Sequence, residues 1–87
     1  MTLEEALEQC TDETKPIGNR VGDKQALIKF RPGKNCYSLQ EDRPWSPEPS
    51  RLIGECLTRE EVKVRIAEVS FASEMDPNGW VVNPEKW

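Results

Sequence analysis

An alternation of apolar and polar residues in the stretch QALIKFR constrains the fold of this chain more than any other feature. Three apolar side chains, Ala26, Ile28 and Phe30, occupy every second position. This period is typical of a β-strand that buries one face. Because such a strand needs pairing partners and a cover for its apolar face, we expect a sheet with a second layer packed against it.

Turn signals indicate where the sheet continues. The tetrapeptide RPGK (31–34) fits a type II turn with glycine at its third position, although a longer loop suits a hairpin better. Further strands are predicted at 36–39, 51–57 and 80–82. Gly54, inside the second of these, is a candidate position for a β-bulge.

Helix signals occur at two places. TLEE is a capping box, in which the threonine and glutamate side chains each accept a hydrogen bond from the other residue's backbone N–H, and it predicts a short helix over about residues 3–10. Thr58 and Glu61 form a second capping box. The β-branched residues that follow alternate, however, so 59–72 is predicted as a bulged strand, with a helix as the alternative. Residues 16–24, PIGNRVGDK, are interpreted as turns.

These elements predict a single domain over residues 1–87, of the α+β class. A short N-terminal helix packs on an antiparallel sheet of four or five strands. A chain of 87 residues lies near the lower limit for an independent core, so a homo-oligomer is also expected.

The composition favours binding over catalysis. Histidine is absent, which removes the commonest general base and the commonest metal ligand. The cysteines Cys10, Cys36 and Cys56 form no C-x-x-C pair, so neither a metal nor a cofactor is predicted. Because the chain also lacks histidine, the protein is not expected to be an enzyme. Their odd number is interpreted as three reduced thiols in a cytoplasmic protein. No apolar run approaches ~20 residues and the first residues are acidic, so no membrane span or signal peptide is expected.

The basic residues are concentrated in one segment. The net charge is −4, yet residues 15–34 hold six basic side chains against one acid. Arg20, Lys24 and Arg31 are candidate ligand contacts here, because a basic segment in an acidic protein suits a phosphate-bearing ligand. The alternative is a solvated strand face with its turns. Duplex nucleic acid is not an expected partner, since the overall balance is acidic.

The loop RPWSPEPSR (43–51) is a second candidate site. Its three prolines restrict the backbone to extended conformations and lower the entropy cost of binding, and Arg43 and Arg51 flank Trp45. Guanidinium groups pair with phosphate or carboxylate, and an indole stacks on a base or fills a partner's pocket. The alternative is that Trp45 closes the small core. Trp80 is assigned to the core, and Trp87 is expected to contact a partner or a second copy.

Three segments resemble the small phage Thoeris anti-defence proteins. MTLEEALEQ is similar to that family's opening amphipathic helix, GDKQALIKFRPGK to its strand ending in a Pro-Gly turn, and SFASEMDPNGWVV to its closing segment. The resemblance implies a phage-encoded oligomer that sequesters a cyclic ADP-ribose-type signal in the host cytoplasm.

The sequence therefore predicts a non-catalytic binding protein for a nucleotide-type small molecule. Two other classes stay open. One is a small phage or mobile-element inhibitor that blocks a host protein, as anti-CRISPR proteins do, with Trp45 as its anchor. The other is an accessory subunit of a bacterial complex.

Overall fold

The fold is α+β, as predicted. The computed structural model describes residues 1–43 and 45–84. The elements in chain order are α1 (Leu3–Gln9), β1 (Ile17–Val21), β2 (Lys24–Arg31), β3 (Cys36–Asp42), β4 (Ser50–Leu57), α2 (Arg59–Arg65), two 3₁₀ turns (Ile66–Glu68 and Ala72–Glu74) and β5 (Val81–Val82). The strands form one antiparallel sheet in the order β4-β3-β2-β1-β5.

The first hairpin corrects the prediction that residues 16–24 are all turns. β1 pairs with β2 in continuous register from Ile17 opposite Ile28 to Val21 opposite Lys24. Only two residues connect the strands, and Gly22 takes a positive φ of 61°, which a tight hairpin turn requires. Glycine and asparagine in this segment therefore mark a short strand and its turn.

The connection from β2 to β3 is a four-residue loop over 32–35. The longer loop is confirmed, but the type II turn is wrong, because Gly33 does not have a positive φ. Asn35 instead takes the left-handed conformation, with φ 53°. Asparagine tolerates that region better than other residues with a side chain, and it turns the chain back into β3.

The segment predicted as a strand over 59–72 holds α2, the 3₁₀ turn Ile66–Glu68 and then turns over 69–71, so that prediction is wrong. The capping box prevails: Glu61 N–H donates to the Thr58 hydroxyl at 3.1 Å, and Thr58 N–H donates to the Glu61 carboxylate at 2.8 Å. Val62 is fully buried whereas Val64 is 71% exposed, so the two do not share a buried face as strand residues would. Satisfied helix-end N–H groups outweigh the β-propensity of the valines.

The core lies between the helical layer and one face of the sheet. Ala26, Ile28 and Leu39 point into it from the central strands, as the two-residue period requires. The helical segments contribute Leu7, Val62 and Phe71 to the same core.

Two further predictions bear on the core and on the membrane. Trp80 is 3% exposed, which confirms its place in the core, while Trp87 lies outside the described residues. In the described ranges, no helix combines the length and apolar character needed to span a membrane.

The β3–β4 pair differs from the prediction in one important respect. Cys36 and Cys56 form a disulfide between these neighbouring strands, so the interpretation of three reduced thiols is wrong. Only Cys10 is free, and it is buried. An odd cysteine count permits one bridge, and which cysteines lie together depends on strand pairing. Disulfides persist mainly in oxidising compartments, so the bond offers no support for a cytoplasmic location.

Candidate functional site

The sheet face opposite the core carries an open groove, which we call the strand-face groove. Its walls include Lys29, Arg31, Lys34, Ser38, Leu52 and Glu55, and its volume is about 860 Å³. The described helices pack on the other face, so the groove opens directly on the sheet. A volume of this size lies in the range of small-molecule binding sites.

Strand alternation explains why the groove is basic. Lys29 and Arg31 are two positions apart on β2, and both are exposed. They therefore project from the face opposite Ile28 and Phe30. Lys34 joins them from the loop that follows β2. Against these three cations stand the carboxylates of Glu13 and Glu55, so the groove is locally positive in a chain of net charge −4.

Of the basic residues predicted from the sequence, Arg31 lies in the groove and Lys24 does not. Lys24 Nζ lies 3.3 Å from the Glu74 carboxylate and 5.5 Å from the centre of the Phe71 ring. Lys24 therefore connects the 3₁₀ turn Ala72–Glu74 to strand β2. Arg20 is exposed on β1 opposite Gln25, one strand further from the groove than Arg31.

Arg43 and Arg51 converge on a buried carboxylate instead of an open surface. Glu41 is fully buried on β3. Arg51 Nη1 donates to its Oε1 at 3.2 Å, and Arg43 Nε lies 3.4 Å from its Oε2 without hydrogen-bond geometry. Ser70 completes the shell, with its hydroxyl 2.6 Å from Oε2 and its backbone N–H 3.2 Å from Oε1.

This cluster of Glu41, Arg43, Arg51 and Ser70 holds both ends of the proline loop. A fully buried carboxylate is tolerated only when it is paired and hydrogen-bonded, and here it meets both conditions. The backbone closes the loop as well, because Arg43 N–H donates to the Pro49 carbonyl at 2.6 Å. The two arginines are thus engaged within the protein.

Trp45 projects from this closed loop. Its residue surface is 60% exposed, so the alternative in which Trp45 closes the core is wrong. The loop is not extended, since Ser46 N–H donates to the Arg43 carbonyl at 2.9 Å and forms a turn. Pro47 and Pro49 are exposed beside it. The result is an aromatic side chain presented on a short, internally bonded loop.

Sequence reasoning missed Lys29 and Lys34 in the groove and Glu41 in the cluster. Lys29 had a usable signal, because it alternates with Arg31 on one strand face. No sequence signal could have identified Glu41, because only the pairing of β3 with β4 places it opposite Arg51.

A smaller, mostly apolar groove of about 410 Å³ lies on the helical side, between Leu3, Ile66, Met75 and Trp80. A salt bridge from Lys63 to Glu4 crosses its rim, and this contact lowers the pKa of the Glu4 carboxyl and raises that of Lys63. The charged lining residues are Glu4, Lys63 and Asp76. Lys63 is the single cation among them and is paired with Glu4, so this groove suits an anionic ligand less well than the strand-face groove.

The comparisons with known proteins identify no relative. No family model, no curated protein and no solved structure matches the chain. Within residues 1–43 and 45–84, no group of three or more His, Cys, Asp or Glu side chains is placed to hold a metal ion. Function is therefore inferred from the geometry of the groove and of the loop.

Proposed function

We propose that the protein binds a nucleotide-type, phosphate-bearing small molecule in the strand-face groove and does not transform it. The observation that carries this proposal is the grouping of Lys29, Arg31 and Lys34 around one open groove on the sheet. The resemblance described above suggests a cyclic ADP-ribose-type ligand and therefore a sequestering role. A phage origin, a host-cell location and assembly into a homo-oligomer belong to the same proposal.

The charge pattern supports an anionic ligand. Arg43, Arg51 and Lys24 are each paired with a carboxylate in the described structure, whereas the groove brings together three cations from one strand and one loop. Guanidinium and ammonium groups at such a site form charge-assisted hydrogen bonds with phosphate oxygens. Ser38 adds a hydroxyl to the lining and Leu52 an apolar surface, which suits a ligand with a sugar and a base.

The ionisable groups of the described residues favour binding of a ligand without its chemical turnover. The chain contains no histidine, and the buried carboxylate of Glu41 is held by Arg51 and Ser70 on the opposite side of the sheet. Cys10 is buried, and burial raises the pKa of its thiol to about 11. It is therefore poorly suited to act as a nucleophile at neutral pH.

The test is a thermal-shift screen against mononucleotides, dinucleotides and cyclic ADP-ribose isomers. A ligand at 100 times its Kd stabilises the folded state by ~2.7 kcal/mol, which should raise Tm by about 10 °C for a domain of this size. The binding should weaken as salt is added, because the contacts are exposed and ionic. A flat screen across all phosphate-bearing compounds would refute the proposal.

Calorimetry on matched arginine variants then locates the site. Arg31→Ala should weaken binding at least tenfold, because a hydrogen bond to a charged group contributes about 1.5–3 kcal/mol. Arg59→Ala removes the same charge from the exposed start of α2 and should change the Kd less than twofold. Equal losses in both variants would mean that net charge, and not the groove, drives binding.

Trp45 supports a second candidate function, inhibition of a host protein. An exposed tryptophan on a loop held by a buried ion cluster loses little entropy on docking, and aromatic anchors of this kind dominate many interfaces. Given a partner, Trp45→Ala should cost more than ~2 kcal/mol of binding free energy in a surface plasmon resonance assay. Loss of nucleotide binding in the same variant would instead connect the loop to the groove.

A further inference from the structure

We infer that the Cys36–Cys56 disulfide is a thiol-exchange site whose reduction releases the end of β4 and opens the strand-face groove. The structural part of this inference, release of β4, stands without any ligand. The part that concerns affinity rests on the proposed function.

The disulfide lies beside the groove wall. Cys36 is directly opposite Arg31 in the β2–β3 register, and Arg31 lines the groove. Cys56 follows Glu55, which lines the groove from β4. Cys36 is buried yet does not belong to the main core cluster, so it projects from the groove side of the sheet.

The β3–β4 ladder is irregular at this point. Tyr37 is opposite Leu57, Leu39 is opposite Gly54 and Gln40 is opposite Leu52. Three steps along β3 therefore correspond to five along β4, so β4 carries two extra residues. Each extra residue leaves part of the ladder unpaired, and the end of β4 depends on other contacts.

Besides the disulfide, the pairing of Leu57 with Tyr37 and two further contacts hold this end of β4. Arg65 Nη2 donates to the Ile53 carbonyl at 2.6 Å, and Leu57 is buried against the core. Glu55 and Cys56, between these points, are exposed. At the other end of β4, the cluster around Glu41 holds Arg51 independently.

The two cysteine residues differ in exposure, which favours one direction of exchange. Cys56 is exposed, whereas Cys36 is only 5% exposed. A dithiol reductant attacks through one thiolate at the Cys56 sulfur, forms a mixed disulfide and displaces the Cys36 thiolate. The second thiol of the reductant then attacks its own bound sulfur and releases Cys56. The protein gains two thiols, and the reductant leaves as a cyclic disulfide.

Hydrogen exchange with mass spectrometry tests the release directly, on the whole chain before and after treatment with dithiothreitol. Amides of 54–57 should exchange at least about tenfold faster after reduction, while those of β2 should keep their rates. The Cys36→Ser/Cys56→Ser variant should match the reduced protein. Unchanged exchange at 54–57 would overturn the inference. Loss of protection throughout the sheet would do so too, because the bond would then stabilise the whole fold.

Iodoacetamide labelling supplies an internal control. In the reduced protein Cys56 should be alkylated first, and Cys10 should resist because burial raises its pKa to about 11. Labelling of Cys10 at the rate of Cys56 would show general unfolding and overturn the inference.

Cyclic ADP-ribose serves as the probe for the ligand part. If the oxidised protein binds it, reduction should raise the Kd about fivefold or more, and an unchanged Kd would overturn control of the groove. If the oxidised protein binds no nucleotide, the proposed function fails by itself, and the exchange rates at 54–57 still decide whether β4 is released.

Discussion

The two faces of the sheet use the same residue types for different purposes. On the core side, Arg51 and Arg43 pair with the buried Glu41 and hold a loop. On the opposite side, Lys29 and Arg31 project into an open groove. The difference shows that the position of a cation in the strand alternation, and not its neighbours in sequence, decides whether it stabilises the fold or is available to a ligand.

The largest expected effect contrasts one leucine on each face. Leu39 is fully buried in the core, whereas Leu52 is 54% exposed at the groove. Leu39→Ala should lower the free energy of unfolding by about 2–5 kcal/mol, since it removes buried methyl groups and leaves a cavity. Leu52→Ala should change it by less than ~0.5 kcal/mol. Urea denaturation of both variants tests the contrast, and equal losses would mean that the groove face is covered in solution.

The next effect concerns the buried carboxylate. Glu41→Ala should lower the free energy of unfolding by about 2–4 kcal/mol, because it leaves Arg43 and Arg51 without their counter-charge. We expect less than the full penalty for a broken buried pair, since the two side chains are 27% and 44% exposed and can gain water. Glu48→Ala, at an exposed position of the same loop, is the matched control and should be nearly neutral in the same denaturation assay.

Substitutions at the tip and at the base of the proline loop (43–51) should have different effects on stability. Because Trp45 is 60% exposed, Trp45→Ala should change the free energy of unfolding by less than ~0.5 kcal/mol. Arg51→Ala should cost more, because it leaves Glu41 with one fewer hydrogen bond. Thermal unfolding of the two variants is sufficient, and a large loss for Trp45→Ala would show that the loop packs on the domain.

The smallest expected effect is a pH dependence of stability that arises at the start of α1. Hydrogen bonds from the backbone and side chain of Thr2 lower the pKa of Glu5. A lowered pKa contributes stability above the carboxyl's ordinary value, and the contribution is lost as the pH falls through the folded-state pKa. An NMR titration should place the Glu5 pKa below its ordinary value, and Thr2→Val should raise it part of the way back. The Thr2 backbone N–H, which has the larger effect, remains in this variant, so an unchanged pKa would contradict the contribution of the Thr2 hydroxyl.

Local signals predicted α1, β2 and the buried Trp80, because capping residues and strict alternation act over a few positions. The number of strands agreed with the prediction partly by chance. Residues 59–72 form helix and turns where a strand was expected, and β1 supplies the fifth strand in its place. The disulfide and the Glu41 cluster could not be predicted, because both join β3 to β4. Each depends on which strands pair and in which register.

The candidate site was predicted in part. Arg31 was identified from the basic segment, whereas Lys29 needed the strand face as well as the charge. Arg43 and Arg51 were assigned to a ligand because both flank Trp45, but charge alone could not reveal that both pair with Glu41. Sequence patterns show which residues can bind; burial shows which of them are already engaged.

Chemical-shift mapping is the most direct test of whether the strand-face groove binds a nucleotide. Cyclic ADP-ribose and a mononucleotide would be titrated into ¹⁵N-labelled protein, and the amides that shift would be assigned to one face of the sheet. We expect shifts concentrated at Lys29, Arg31, Lys34 and Ser38, with little change at Trp45 and Ser70. No saturable shifts, or shifts confined to the proline loop, would contradict the assignment of the groove as the binding site.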